Sequence, residues 1–257
     1  ALVRETFGGR IVAQANRAAL LDIEAIEDED CFIPHATMSC FLAEIARLTG
    51  EPDLGLLIAP HLTVARYGVW GAYVLGADSL GAALDRGIAT LGYHSSGDRM
   101  GLTCAGGRAT VAYRNAARGY PGPYTKGSVI GGLFRSYLPA DWRPLALDLD
   151  VPRPAATLPF EERFGCPVRF GAPAIAVHFD ASLLDVRAIR RPSLRPVTLG
   201  ELARARLAPD SLRQFRGVVL AQIWSQVLAG GVSVDATAQA LGMGVRTLQR
   251  SLQEEGI

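Results

Sequence analysis

No stretch of this chain approaches the roughly 18 uncharged apolar residues that a membrane-spanning helix needs, so no span is expected. The opening Ala1-Leu-Val-Arg-Glu-Thr lacks a basic segment followed by an apolar one, and no signal peptide is expected. An initiator Met is also missing, so the natural start is expected to lie upstream. Cysteine is sparse. Cys31, Cys40, Cys104 and Cys166 are far apart and form no CxxC pair, which excludes paired zinc ligands and a dense disulfide framework. All four are expected as free thiols in a reducing cytoplasm. Lysine occurs once, at Lys126, against 25 arginines, a bias of genome composition more than of function.

Enzyme signatures are missing too. There is no GKS or GKT phosphate loop and no GxSxG nucleophile elbow, and the glycine-rich runs Gly68 to Gly76 and Gly127 to Gly132 fit neither. His35, His61, His94 and His178 are isolated, without HxH or HxxxH spacing, and read as structural residues. Asp148 and Asp150 alternate on one candidate strand and are expected to face solvent. No catalytic residue, cofactor or metal is expected, and the reading is of a protein that is not an enzyme.

What is present is an ordinary globular composition over 257 residues, 49% apolar and 20% charged, enough for one large domain or two smaller ones. The net charge of +1 conceals an asymmetry. Residues 1–185 carry 16 basic and 20 acidic side chains, whereas residues 186–257 carry 10 arginines and 5 acidic ones. A positive C-terminal part suits a module that meets a polyanion, although charge alone equally describes a solvated basic surface.

Hydrophobic spacing predicts a helix over Ile11–Ile26, an exposed acidic loop at Glu27 to Asp30, and a second helix from Pro34 to a Gly50 cap. Ser79 is positioned to cap a third helix through Leu91. Two strands, Met100–Cys104 and Ala109–Arg114, flank a Gly106-Gly107 turn. Tyr120 to Tyr124 reads as a loop and Gly127–Leu138 as helix. Leu145–Asp150, Val168–Phe170 and Ala174–Phe179 read as strands. Beyond the Arg/Pro-rich run Arg190–Pro196, every segment reads as helix: 199–207, 212–228, 234–241 and 245–255. The expected class is α+β, a mixed helix and sheet sensor domain at 1–189, a linker region at 190–208, and an all-α segment at 209–257.

The informative stretch is Ser233 to Leu252. Ser233 can cap a helix, with Asp235 complementing its dipole. Val234, Ala238 and Leu241 share one face, Gly242 breaks the helix, and Met243 turns inward. A second helix then places Val245, Leu248 and Leu252 inward and Arg246, Thr247, Gln249 and Arg250 outward. Two helices joined by a short glycine turn, the second polar outside, form a helix-turn-helix unit. Arg can bond guanine bidentately, Gln can do so to adenine, and flanking Arg can neutralise phosphate. Spacing alone leaves open an ordinary helical domain.

The run Leu241-Gly-Met243, Arg246-Thr-Leu-Gln-Arg250 and Leu252 resembles the first helix-turn-helix of AraC/XylS-type regulators. Thr237 departs from the Val or Ile usual there, and Gly244 replaces the usual capping Ser. Upstream, Ile33-Pro34, Thr49 to Leu56, Tyr67 to Gly71, Ser79 to Leu84, Phe164 to Ala172 and Phe179 resemble one branch of that family. Its members carry a long arabinose-binding-like sensing domain and include virulence-type and ornithine- or arginine-responsive regulators. The resemblance covers about residues 10–257. It implies double-stranded promoter DNA as partner, with Val245, Arg246, Thr247, Gln249, Arg250 and Ser233 at the DNA. It also implies a small-molecule effector, a homodimer, contact with RNA polymerase, and a bacterial, cytoplasmic setting. The family's second helix-turn-helix is absent before Gly256-Ile257, so truncation after the first is expected.

The sensor pocket is harder to read. Trp70, Tyr73, Tyr93, Tyr124, Phe134 and Tyr137 are the candidates for an apolar cavity with polar tips, although core packing explains such residues equally well. Arg99, Arg114 and Lys126 are candidates to pair with an acidic effector. The competing reading is an enzyme or small-molecule-binding protein whose helical C-terminal subdomain does not touch DNA.

Overall fold

In the computed structural model the described residues are 2–23, 33–51, 54–58, 63–95, 97–115, 132–188, 197–206, 215–228 and 231–257. The acidic run 27–30, Cys31, His61, the 120–124 loop with Tyr124, Lys126, and the Arg/Pro-rich run 190–196 lie outside them. Within them the fold is α+β, in two units drawn by contact rather than by chain order. One consists chiefly of Ala1–Leu54 with Leu207–Ile257, and the other of Gly55–Arg118 with Gly122–Arg206.

The first unit is helical. A short α1 (Leu2–Phe7) leads into α2 (Gly9–Ala19), which ends well before Ile26. The cause is local: Leu20 turns left-handed at φ 50°, and the Leu21 N–H returns to the Asn16 carbonyl at 3.0 Å. That closed end is a Schellman turn, which normally uses glycine. α3 (His35–Thr49) starts after Pro34, whose missing N–H is harmless at a helix start, and stops at Gly50 with φ 72°. α2 and α3 pack together, with Val12, Ala15 and Ala19 buried on one and Phe41, Leu42 and Ile45 on the other.

Among the described residues this unit also holds α9 (Phe215–Leu228), α10 (Val234–Ala240) and α11 (Val245–Glu254). Val219, Ala238, Leu241 and Leu248 form their small apolar core, edged by Phe215, Val218, Ile223, Met243, Val245 and Leu252. α9 reverses the usual pattern on part of its surface. Gln222, Ser225 and Gln226 are buried, while Leu220, Trp224 and Val227 are half exposed.

The second unit is built on a five-stranded sheet. Before it come α4 (Leu54–Ile58), a 3₁₀ turn at Val64–Arg66, α5 (Gly68–Leu75) and α6 (Leu80–His94). The Ser79 hydroxyl caps α6 by accepting from Ala82 N at 3.2 Å. β1 (Arg99–Ala105) and β2 (Arg108–Arg114) form a hairpin whose two central residues, Gly106 and Gly107, both have positive φ. Two-residue hairpins favour this geometry because its twist matches the strands.

β3 (Ala146–Leu149), α7 (Leu158–Phe164) and β4 (Val168–Phe170) follow, with β3 and β4 parallel across the α7 crossover. β5 (Ile175–Asp180) then inserts between β2 and β3, antiparallel to both, for a strand order β1-β2-β5-β3-β4. Period-two alternation sends Ala109, Val111 and Tyr113, with Leu147, Leu149, Ile175, Val177 and Phe179, into the core. Trp70, Val74, Leu80, Leu84 and Leu91 from α5 and α6 join the same core. α8 (Leu199–Arg206) packs on α5 and α6 with Leu202 fully buried, so residues 199–206 of the expected linker region form a docked helix.

Cys40 and Cys104 are exposed free thiols and Cys166 a buried one. Among the described residues no helix is long and apolar enough to cross a membrane. Among them, too, no group of three or more His, Cys, Asp or Glu could hold a metal ion.

Candidate nucleic-acid interface

α10 opens on Ser233, whose hydroxyl accepts from Ala236 N at 3.0 Å, and Asp235 lies in its first turn. It closes on Gly242 at φ 68°, with the Met243 N–H returned to the Ala238 carbonyl at 3.0 Å. This second Schellman turn uses the glycine that a left-handed position favours. Gly244 then starts α11 without any side-chain cap. Leu248 is buried at 3% exposure, and Val245 and Leu252 pack against the same core. Arg246, Thr247, Gln249, Arg250 and Ser233 are all exposed. Arg250 lies a loose 3.9 Å from Glu254, with both side chains about 70% exposed, so this pair adds little and leaves the guanidinium accessible.

Two features fix α11 in place, and spacing did not reveal either. The Glu255 carboxylate, at the end of α11, accepts from the backbone N–H groups of Phe215 and Arg216 at 2.9 and 2.8 Å. It thereby ties the end of α11 directly to the backbone of α9. The other concerns Thr237, the departure from the family pattern. It is buried, donates to the Ser233 carbonyl at 2.8 Å, and accepts from Gln226 Nε2 at 3.1 Å. Gln226 Oε1 in turn accepts from Ser233 N at 3.3 Å. The polar residue at 237 and the buried Gln226 are therefore a matched pair, and an i,i+4 Gln222/Gln226 repeat in α9 was the available signal.

Of the aromatic candidates for a sensor pocket, Trp70, Tyr73, Tyr93, Phe134 and Tyr137 lie in or against the core of the sheet unit. Trp70 stacks on His94 at 4.6 Å and donates to the Thr90 carbonyl and hydroxyl at 3.1 and 3.0 Å. Phe134 is fully buried, stacked on Trp142 and edge-on to Phe179, each at 4.8 Å. Tyr137 is fully buried and donates toward the Leu75 and Ala77 carbonyls at 3.4 and 3.1 Å, and burial pushes its phenol up to about 12. Tyr73 lies under the Arg86 guanidinium at 5.0 Å, and Tyr93 is half-buried against the core. Tyr124 lies outside the described residues. Arg99 and Arg114 are exposed and directly opposite across β1 and β2.

Two polar clusters in this unit were not foreseen. Asp98 is buried and accepts from the Ser95 hydroxyl at 2.5 Å and from the Tyr113 hydroxyl. Burial, reinforced by the Asp98 charge, holds the Tyr113 phenol far above its ordinary range. On the other sheet face, His178 Nδ1 meets the Thr110 hydroxyl and its Nε2 meets Asp148, both at 2.9 Å. Arg169 grips the same carboxylate at 2.6 and 2.9 Å. The expectation that Asp148 faces solvent is therefore corrected, because cross-strand register brings β2, β3, β4 and β5 side chains around it. Asp150 also departs from that expectation. Its Oδ1 is buried without a hydrogen-bond partner, and burial raises its pKa.

A family model, the N-terminal arabinose-binding domain of AraC transcription regulators, matches residues 9–188. That match spans well over half of the chain and defines it as a transcription regulator. More particularly, the chain belongs to the AraC-type family whose members carry this N-terminal domain. The crystal structure of the transcriptional regulator CdpR from Pseudomonas aeruginosa is similar over 93% of this chain and 78% of that one, at 19% identity and a TM-score of 0.49. No curated protein matches the chain.

Proposed function

We propose that this regulator binds double-stranded promoter DNA through α11 and senses a small molecule in its N-terminal domain. The observation that carries the reading is the two-sidedness of α11. Arg246, Thr247, Gln249 and Arg250 are exposed while Leu248 is buried and Val245 and Leu252 face the core. The major groove of B-DNA admits one such helix. Arg246 and Gln249 are assigned to base edges, and Arg250 and the Ser233 hydroxyl to phosphate. Thr247 assists, and the open side of Val245, which is only partly buried, is assigned to a thymine methyl at the helix start. Family membership supports the effector half of the proposal. Effector binding alters DNA affinity only if the effector prefers one state of the protein, since equal affinity for both shifts nothing. No enzymatic step forms part of the reading.

The test starts from a random-sequence duplex pool enriched by the protein itself, followed by fluorescence anisotropy at several salt concentrations. Wild type is expected to enrich a defined sequence and to lose affinity steeply as salt rises. Arg246→Ala should forfeit about 1–3 kcal/mol of discrimination at one base position with the fold intact. Unchanged discrimination would remove Arg246 from the base-reading role. Failure of the wild type to enrich any sequence would overturn the proposal as a whole.

A further inference from the structure

The buried polar edge of α9 makes two separate connections one helical turn apart. Gln226 reaches α10, as described. Gln222, with no exposed surface, reaches the N-terminal helices: its Oε1 accepts from the Thr37 hydroxyl at 2.5 Å, and its Nε2 donates to the Leu20 carbonyl at 3.3 Å. Thr37 is likewise fully buried, in the first turn of α3. α3 also packs against α10, the first helix of the helix-turn-helix.

The Leu20 end of this connection is unusual. Leu20 is the one non-glycine among the described residues with positive φ. A left-handed non-glycine residue is strained and persists where its surroundings over-determine it. The turn it forms presents a carbonyl to the Gln222 amide. Buried polar groups are costly unless paired, and here a donor and an acceptor on one side chain are both matched across 185 and 202 residues of sequence. Apolar packing tolerates sliding, whereas a doubly hydrogen-bonded amide fixes one register.

We infer that Gln222 is a positioning residue, through which the N-terminal helices α2 and α3 hold the helix-turn-helix in its binding orientation. Residues 9–49 fall within the match to the sensing-domain family, yet they are grouped with the helices proposed to read DNA. Part of the sensing-domain sequence is thus a physical handle on α9. The orientation claim rests on the DNA reading above; the linkage of the two segments does not.

The test uses the full chain and compares Gln222→Leu, the milder Thr37→Val, and the double variant. Hydrogen exchange is read by peptide. Gln222→Leu strands the Thr37 hydroxyl and the Leu20 carbonyl, so exchange should rise about tenfold in α2–α3 and α10–α11 together, with β2 and β5 unchanged. Thr37→Val added to Gln222→Leu should restore part of the protection. A rise confined to α9, or spread equally over the sheet, overturns the linkage.

DNA binding by the same variants then separates positioning from support. Loss of folded protein lowers the active fraction but leaves the salt slope and sequence discrimination unchanged. Loss of orientation lowers both. Coupled exchange with slope and discrimination intact overturns the positioning role while the DNA reading stands. If wild type itself enriches no sequence, the DNA reading fails, the orientation claim falls with it, and exchange decides the linkage alone.

Discussion

Thr237→Val is close to isosteric, and it should nevertheless destabilise this regulator. Thr237 is 2% exposed and supplies the acceptor for Gln226 Nε2 at 3.1 Å. Valine keeps the shape and removes the oxygen, leaving an amide proton of a buried glutamine without a partner. Such an orphan costs about 1–3 kcal/mol, whereas removing both partners together is close to neutral. Gln226→Leu alone is milder, because Thr237 keeps its bond to the Ser233 carbonyl at 2.8 Å and exposed Ser233 can turn its N–H to water. The double variant should therefore recover most of the loss, with a coupling of about 1 kcal/mol or more between the sites.

The chain forms two units, so one global unfolding midpoint is poorly defined, and opening of α10 by hydrogen exchange is the appropriate measure. Thr237→Val should speed α10 exchange by about 5- to 150-fold. Strict additivity of the two single effects, or unaltered α10 exchange in Thr237→Val, would refute the pairing.

Two further outcomes follow from the sheet unit. Gly71→Ala places a Cβ 2.0 Å from the Val64 carbonyl oxygen and should cost about 1–3 kcal/mol in thermal unfolding. The control Gly92→Ala, with open space around it in α6, should gain about 0.5–1 kcal/mol. Asp150 has a folded-state pKa raised by burial, so its contribution favours folding at low pH and is lost as pH rises through that value. Asp150→Asn should therefore raise the unfolding midpoint of the sheet unit at neutral pH, with the gain shrinking as pH falls through the raised pKa and gone below about pH 4. A gain that grows on acidification would contradict the sign.

Legibility from sequence divided along the local and the distant. Pro34 and Gly50 bracket α3, Ser79 caps α6, Gly106-Gly107 turns the hairpin, and Ser233 and Gly242 bound α10. Each is decided by the residue's own backbone freedom or hydrogen-bonding reach, and each was readable in place. The early stop of α2 was missed because a leucine occupies the left-handed position where glycine would have announced it. The partners of Gln222 lie 185 and 202 residues away, and the Asp148 cluster needs the register of four strands. No window of sequence contains those facts. On α9, hydrophobicity alone would turn Leu220, Trp224 and Val227 inward, yet the structure leaves them half exposed.

The helical unit draws on both ends of the chain, which has a consequence for how the protein is made. Ribosomes add about 5–20 residues per second, so Gln222 emerges on the order of 10–40 s after Thr37. During that interval the N-terminal helices wait without their buried hydrogen-bond partner while Gly55 to Arg206 is made. The sheet can settle first, with α9, α10 and α11 joining helices made long before them.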